Sequence, residues 1–250
     1  MSGHSKWSTI KRKKGAEDAK RGAIFTRLAR EIAVAARKGG GDPDMNTALA
    51  LTISRAKSSN MPKENIERAI KRGTGEDKGA AAYEEAYYEG YGPHGVAFMI
   101  ECATDNRNRT VADLRHVLSS GGGSLGEGGS VAWQFTQVAY FTFQADAKDE
   151  DKIFELALNG GADDVQMDDG VVEITGPTPS FKSINDQLAK AKIEFDEAGL
   201  RMIPNQEMEL SVSETVQVLK VIERLEDLDD VQNVYTNLSI SDEALEQYEG

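Results

Sequence analysis

Hydrophobic and polar positions in the first third of the chain repeat with the period of an α-helix. Within residues 17–38, apolar side chains fall on one arc of a helical wheel and cations on another. Asp42-Pro43 then predicts the start of a second helix, with Asp42 as N-cap and Pro43 at the first helical position. A third helix is predicted over 63–72. Three short helices with brief links indicate a small helical domain over residues 1–80.

Beyond a Gly/Ala-rich link at 78–82, short alternating stretches bounded by turn residues predict strands. The predicted strands are 83–91, 95–104, 131–135, 138–144, 163–168, 171–175, 199–203, 207–211 and 231–237. The predicted helices between them are 108–120, 150–159, 180–193 and 214–227. The glycines of 121–129 predict a mobile loop, and Asp169-Gly170 predicts a hairpin turn.

The order of elements within 137–205 is βαββαβ, which is the ferredoxin-like arrangement. The tetrapeptide DDVQ at 163–166 recurs at 229–232, each time after a helix and at the start of a strand. This echo suggests that 206–250 completes the domain that begins at 81.

The predicted fold class is therefore α+β, with an N-terminal three-helix domain followed by two α/β domains. The predicted domains are 1–80, the discontinuous 81–136 plus 206–250, and the inserted ferredoxin-like 137–205.

Charge is divided unevenly along the 250 residues. Residues 1–80 hold 18 Lys and Arg against 9 Asp and Glu, whereas residues 81–250 hold 11 against 33. An asymmetry of this kind indicates that a polyanion contacts the basic end, because the acidic remainder repels phosphate. The alternative is that both parts are merely solvated surfaces.

The N-terminal cations are the candidate phosphate contacts. Residues 1–16 are basic without an apolar helical stripe, which predicts an arm that orders on a partner. Trp7 lies among these cations, where its ring could stack on an exposed base. About six phosphate contacts would give log K a slope of roughly −4 to −5 against log salt. The basic set comprises Lys6, Lys11, Arg12, Lys13, Lys14, Lys20, Arg21, Arg27, Arg30, Arg37 and Lys38.

Arg107 and Arg109 stand at a predicted strand-to-helix junction, where helix N-terminal amides and two guanidinium groups could bind an anion. The alternative is a capped helix with solvated arginines.

Several kinds of chemistry are excluded or unsupported. Cys102 is the only cysteine, which excludes an intramolecular disulfide and a zinc site built on cysteines. The glycines at 121–126 match G-x-G-x-x-G, but the predicted order of helix, loop, strand is wrong for a dinucleotide site. The sequence shows no catalytic constellation, so we expect no enzyme, cofactor or metal. It shows neither a secretory signal nor an apolar run long enough for a membrane span, so we expect a cytoplasmic protein.

Six spaced blocks closely resemble the YebC/PmpR family over essentially the whole chain. They are GHSKW (3–7), DAKRG (18–22), NMPKENIERAIKRGTG (60–75), YEGYGP (88–93), TDNRNRT (104–110) and LEDLDDVQNVY (225–235). The resemblance implies three domains, the middle one discontinuous, and no enzymatic activity. Family members are described as DNA-binding transcriptional regulators. Related proteins, including mitochondrial translational activators, act at the ribosome, and bacterial ones are linked to relief of stalling at proline-rich sequences.

The resemblance also implies site residues. In the first two blocks, His4, Lys6, Trp7, Lys20 and Arg21 carry over as nucleic-acid contacts. The loop formed by Asn60, Met61 and Lys63 carries over as a candidate contact to RNA at the ribosome. For Met61 the alternative is a hydrophobic staple before the third helix.

The preferred interpretation is a non-enzymatic, nucleic-acid-binding regulator of gene expression. Its expected partner is promoter DNA or ribosomal or transfer RNA, bound through the N-terminal domain, with the ribosome as the larger assembly. The acidic body and the lack of an evident dimer element favour structured RNA. The alternative is a protein-interaction module whose acidic α/β domains dock basic ribosomal or polymerase partners.

Overall fold

The computed structural model describes Trp7 and residues 18–77, 79–168 and 170–249. They form two compact units, one spanning Phe135–Asn205 and the other combining Trp7–Gln134 with Gln206–Gly250. The predicted helices of the N-terminal part thus share a unit with the first predicted α/β domain. The division of the chain into three domains stays a prediction.

The described residues contain the following regular elements. The helices are α1 (Asp18–Gly39), α2 (Thr47–Ser58), α3 (Lys63–Thr74), α4 (Arg107–Ser120), α5 (Glu150–Gly160), α6 (Phe181–Lys190), α7 (Val212–Glu226) and α8 (Asp242–Glu249). The strands are β1 (Glu84–Tyr91), β2 (Ala97–Thr104), β3 (Ser124–Leu125), β4 (Phe135–Gln144), β5 (Asp164–Asp168), β6 (Val171–Pro177), β7 (Glu197–Pro204) and β8 (Val231–Thr236). The predicted fold class, α+β with N-terminal helices followed by two sheets, is confirmed.

Helices α1, α2 and α3 pack around a small apolar core in which Ile32 and Leu49 are fully buried. The second helix begins later than predicted, because Asn46 rather than Asp42 is its N-cap. The Asn46 side chain accepts a hydrogen bond from the Leu49 amide at 3.1 Å and donates to the Ala35 carbonyl at 2.9 Å. Asn46 therefore satisfies groups of α1 and α2 together, and the residues around Pro43 form a turn.

Gly73 lies where α3 crosses α1. A Cβ at Gly73 would clash with the Ala33 carbonyl oxygen and would lie 2.8 Å from the Cβ of Ala36. We expect Gly73→Ala to lower the free energy of unfolding by about 1–3 kcal/mol, because the helices must separate to admit the methyl group.

Gly22→Ala in α1 is the matched control, since a Cβ at Gly22 meets nothing within 4 Å. This change should raise stability by about 0.5–1 kcal/mol, because alanine favours a helix over glycine. Urea denaturation of the three proteins, followed by circular dichroism, measures both effects. Equal shifts for the two variants would show that the crossing at Gly73 is not tight.

The first sheet has the strand order β3-β1-β2-β8, with every neighbouring pair antiparallel. Its core contains Phe98, Ile100 and Leu114, which are fully buried. Apolar residues of α7, among them Leu219, close the same core.

The unit spanning Phe135–Asn205 contains the second sheet, ordered β5-β6-β4-β7 and antiparallel throughout. Together with α5 and α6, its strands follow the order βαββαβ, so the predicted ferredoxin-like arrangement is confirmed. Phe141 and Ile174 pair across the sheet and are fully buried, as is Ile184 on α6.

The structure differs from the prediction at four segments. Within the predicted mobile loop 121–129, Ser124–Leu125 forms the short strand β3, which pairs with β1. The predicted strand 131–135 is replaced by a 3₁₀ turn, Ala132–Gln134, and β4 runs unbroken from Phe135. The predicted strand 207–211 reduces to an isolated bridge between Met208 and Leu238. Helix α8 was not predicted. Asp169 of the predicted hairpin lies outside the described residues.

The half-buried carboxylate of Glu89 explains why no strand forms over 131–135, and it also fixes the glycine-rich loop. Glu89 accepts hydrogen bonds from the amides of Gly129, Val131 and Ala132 at 2.7, 2.7 and 2.8 Å. Those amides are therefore unavailable to a strand ladder. Burial raises the pKa of Glu89, but the three amides outweigh it and hold the pKa below its usual value.

Candidate nucleic-acid interface

The positive face of α1 was predicted to contact phosphate, but the structure shows two of its arginines bonded within the protein. Arg30 is 7% exposed, and its guanidinium pairs with Asp230. Arg27 donates to the Glu226 carbonyl at 2.6 Å. These two residues are removed from the predicted interface, because a phosphate would have to displace partners that are already close and partly dehydrated.

Asp230 precedes β8 and collects hydrogen bonds from three other segments. Arg109 of α4 donates to both of its carboxylate oxygens, and the Thr110 hydroxyl donates at 2.7 Å. The Thr104 hydroxyl at the end of β2 lies 3.2 Å away. Burial raises the pKa of Asp230, but the bonds from Thr110 and Arg109 and the charge of Arg30 outweigh it, so the pKa is lowered. Asp230 thus joins α1, β2 and α4 through one carboxylate.

The candidate anion contact at Arg107 and Arg109 is also occupied by internal carboxylates. Arg107 binds Glu84 through two nitrogens, at 2.6 and 3.1 Å, and this hydrogen bonding lowers the pKa of Glu84. Arg109 bonds Asp105 at 3.0 Å as well as Asp230. The junction is a capped helix start, with Asn106 accepting from the Arg109 amide. The capped-helix alternative fits, except that the arginines are paired rather than merely solvated.

Further cations of the helical part bind the segment that leads into the first sheet. Arg37 donates to the Tyr83 carbonyl at 2.9 Å, and Lys38 lies 2.7 Å from Glu85. The Arg72 guanidinium stacks 3.6 Å from the centre of the Tyr83 ring. These contacts attach the helical part to the sheet and leave those cations less available to a ligand.

The loop before α3 separates into a core residue and two surface residues. Met61 is 6% exposed within the helical core, and its amide bonds the Ala56 carbonyl at 2.9 Å. The prediction that Met61 contacts RNA is therefore wrong. Met61 is a core side chain, which agrees more closely with the alternative of a hydrophobic staple. Asn60 is exposed and has a positive φ of 58°. Lys63 is exposed and lies 3.4 Å from Glu67, so Asn60 and Lys63 remain candidates.

Trp7 differs most from its predicted role. Its side chain is 6% exposed and belongs to the core of the first sheet rather than to a solvent-facing arm. The ring meets Tyr248 of α8 edge to face, with 4.9 Å between ring centres. A buried indole cannot stack on a base, so Trp7 is corrected to a core residue.

The other predicted contacts lie in the first 21 residues of the chain. His4, Lys6, Lys11, Arg12, Lys13 and Lys14 lie outside the described residues. Lys20 and Arg21 belong to α1, but their side chains are not described.

Sequence reasoning missed Asp230 as the centre of this network. The DDVQ echo did mark the position, because Asp230 is the second residue of the later copy. However, the equivalent Asp164 is exposed on β5, whereas Asp230 is 5% exposed. The repeat alone therefore does not distinguish the buried hub from a surface residue.

Two further findings concern the described residues. They contain no cluster of three or more His, Cys, Asp or Glu suited to hold a metal ion. Within the same part of the chain, no helix has both the length and the apolar character that crossing a bilayer requires.

The fold and this network define a mixed α+β protein in which a basic helical part is attached by ion pairs to an antiparallel sheet. The model of the "TACO1/YebC protein N-terminal domain" matches residues 5–76, and that of the "TACO1/YebC second and third domain" matches residues 83–238. The chain belongs to the TACO1/YebC family, as its resemblance to YebC/PmpR proteins indicated.

Relatives and a solved structure agree with this membership. The chain is 50% identical to a protein of Rubrobacter xylanophilus over 250 residues, covering 100% of both chains. It is 49% identical to a protein of Syntrophus aciditrophicus over 247 residues, covering 99% of both. Both relatives are named "Probable transcriptional regulatory protein". A conserved hypothetical protein from Aquifex aeolicus, 40% identical, has a similar structure with a TM-score of 0.82, covering 90% of this chain and 93% of that one.

Proposed function

We propose that this chain is a non-enzymatic regulator of gene expression that binds nucleic acid through its N-terminal segment, residues 1–21. The names of its relatives, as probable transcriptional regulatory proteins, support the regulatory role. That the chain binds phosphate, and that the phosphate belongs to RNA, is inferred from the distribution of charged residues along the sequence.

The observation that carries the proposal is the excess of cations over carboxylates in the sequence of residues 1–21. Residues 1–21 hold seven Lys and Arg against two carboxylates. Later cations of α1 are engaged within the protein, as the pairs Arg30–Asp230 and Lys38–Glu85 illustrate. The surplus of cations is thus densest in residues 1–21, because the 59 residues 22–80 hold 11 Lys and Arg against 7 carboxylates. Lysine and arginine bind phosphate by releasing counterions.

Structured RNA fits the rest of the molecule better than duplex DNA. Residues 81–250 have 11 cations against 33 carboxylates, so a long duplex lying along the body would be repelled. A folded RNA can offer phosphates to the N-terminal segment without passing along the acidic surface. The ribosome supplies such RNA, which accords with a role in translation.

The test is a binding titration of the full chain. An RNA hairpin and a DNA duplex of equal charge, each carrying a fluorophore, are titrated at several salt concentrations and followed by anisotropy. We expect the RNA to bind more tightly, with log K falling against log salt at a slope of roughly −4 to −5. If neither the RNA hairpin nor the DNA duplex bound at low salt, the proposal would be overturned and a role in protein interaction would be favoured.

A further inference from the structure

We propose that the ferredoxin-like unit binds an extended, cationic segment of a partner protein, which adds as a further strand beside β5. The surface is the β5 edge, which consists of the outer side of β5 together with Phe154 and Leu158 on α5. This site takes a protein rather than a nucleic acid and includes no residue of the N-terminal segment, so the inference is independent of the proposed function.

Strand β5 ends its sheet. In the order β5-β6-β4-β7 it pairs with β6 alone among the described strands. The outer side of an edge strand carries backbone N–H and C=O groups that a further strand can bond. Peptides that extend a sheet in this way gain main-chain hydrogen bonds from the edge and specificity from their alternate side chains.

An exposed apolar surface lies beside this edge. Phe154 and Leu158 are each 48% exposed, and as residues i and i+4 they share one side of α5. The opposite flank of α5 packs against α6, where a Cβ at Gly160 would lie 2.6 Å from the Cα of Ile184. Because α5 also packs on β5, the side that bears Phe154 and Leu158 is the one toward the β5 edge. Apolar side chains exposed together in this way are typical of a binding surface.

The pleat of β5 determines the pattern of the ligand. Val165 and Met167 pair with fully buried residues of β6, so they belong to the face that the helices cover, and both are only half-buried. Asp164 belongs to the opposite face, because successive side chains of a strand alternate between the faces. An added strand therefore has an apolar side, next to Phe154 and Leu158, and a polar side, next to Asp164.

Charge selects a cationic ligand rather than RNA or a second copy of the chain. Asp151 and Glu155 on α5, and Asp163 and Asp164 at the start of β5, are exposed. Their carboxylates repel phosphate, and in a symmetric pair of β5 edges they would meet carboxylates of the same kind. A strand that alternates lysine or arginine with apolar residues complements both the carboxylates and the apolar pair.

Binding of synthetic peptides to the full chain tests the pattern of the ligand. The probe is a fluorescein-labelled nonapeptide that alternates lysine and valine. One control alternates glutamate and valine, and the other has the composition of the probe with its lysines grouped at one end. In anisotropy titrations we expect each control to bind more weakly than the probe by roughly tenfold or more. Equal binding of the probe and the grouped peptide, or no binding of the probe at millimolar concentration, would overturn the proposal.

Amide hydrogen exchange of the full chain locates the bound probe. A strand added beside β5 bonds amides on its outer side, so saturation with the probe should slow exchange within residues 164–168. Protection that appears elsewhere and not in β5 would overturn the proposal.

Matched variants test the apolar pair. The double variant Phe154→Ala, Leu158→Ala should weaken probe binding by roughly tenfold or more, as truncation of central interface residues does. Leu200→Ala is the control, because Leu200 is 41% exposed on β7, the opposite edge strand of the same sheet, and this change should leave binding unchanged. Equal losses in the two variants would show that the probe does not bind at the β5 edge.

Reversal of charge tests the carboxylates. Asp163→Lys combined with Asp164→Lys should reverse the preference, so that the glutamate–valine peptide binds more tightly than the probe. Glu207→Lys combined with Glu209→Lys makes the same change in net charge at exposed positions of the other unit and should preserve the preference. If both double variants reversed it, total charge rather than the β5 edge would select the ligand, and the proposal would be overturned.

Analytical ultracentrifugation tests the alternative occupant, a second copy of the chain. We expect the wild type and the variant Phe154→Ala, Leu158→Ala to sediment alike. A wild-type dimer that dissociates in this variant would assign the β5 edge to self-association and overturn the proposal.

Discussion

Replacing Asp230 by Asn should lower the free energy of unfolding by about 3–5 kcal/mol, because Arg30 would be left buried beside a neutral group. Asp230 and Arg30 are 5% and 7% exposed, and Asp230 also accepts from Arg109 and Thr110. For a chain of this length, such a loss corresponds to a fall in melting temperature on the order of 10 °C. Differential scanning calorimetry measures the fall.

The adjacent Asp229→Asn is the matched control, because it makes the same chemical change at an exposed position. A surface change of this kind should alter stability by about 0.5 kcal/mol or less. If the two variants melted together, the carboxylate of Asp230 would not be the hub that the contacts indicate.

The pH dependence of this effect has a definite sign. The pKa of Asp230 is lowered in the folded protein, so the folded state binds fewer protons than the unfolded state. The stability from Asp230 is therefore complete above the unfolded pKa, about 3.9. It is lost as pH falls below that value through the folded pKa. We expect the difference between wild type and Asp230→Asn to be constant near neutrality and to shrink in acid.

Replacing Lys11, Arg12, Lys13 and Lys14 together by Ala should have the largest effect on RNA binding. Removing four phosphate contacts should make the slope of log K against log salt shallower by roughly 3 to 4. At about 0.1 M salt the same release of counterions corresponds to a loss of affinity on the order of a thousandfold. Anisotropy titrations of the RNA hairpin at several salt concentrations measure both quantities.

Four lysines of the ferredoxin-like unit provide the control, with the same change in total charge. Lys148, Lys152, Lys182 and Lys190 are exposed, and replacing them with Ala should leave the slope unchanged. Equal losses in the two quadruple variants would mean that total charge, rather than the N-terminal segment, controls binding.

Elements with strong local patterns could be predicted from the sequence, and the two sheets show why. The βαββαβ order of the second unit follows from alternation and turn residues, which are local properties. The end of β1, by contrast, carries Glu89, whose carboxylate takes the amides that a strand over 131–135 would need. Hydrogen bonds between residues about 40 positions apart cannot be recognised from local sequence patterns.

The same limit explains the errors at the candidate site. Arg30 has the same chemistry as an arginine that faces solvent, and only its pairing with Asp230, 200 residues away, shows that it is an internal partner. Trp7 lies among cations in the sequence, yet it packs against Tyr248 at the other end of the chain. For Met61 the sequence does offer the alternative of a hydrophobic staple, because an apolar residue just before a helix can pack against its first turn. That local feature agrees with the burial of Met61.

Ultraviolet crosslinking in living cells tests most directly whether residues 1–21 bind structured RNA. The attached nucleic acid is sequenced, and the crosslinked peptides are mapped by mass spectrometry. We expect ribosomal or transfer RNA, joined to peptides within residues 1–21 and lost in the Lys11–Lys14 variant. Crosslinks confined to the unit Phe135–Asn205, or discrete promoter DNA without RNA, would contradict the binding of RNA by residues 1–21.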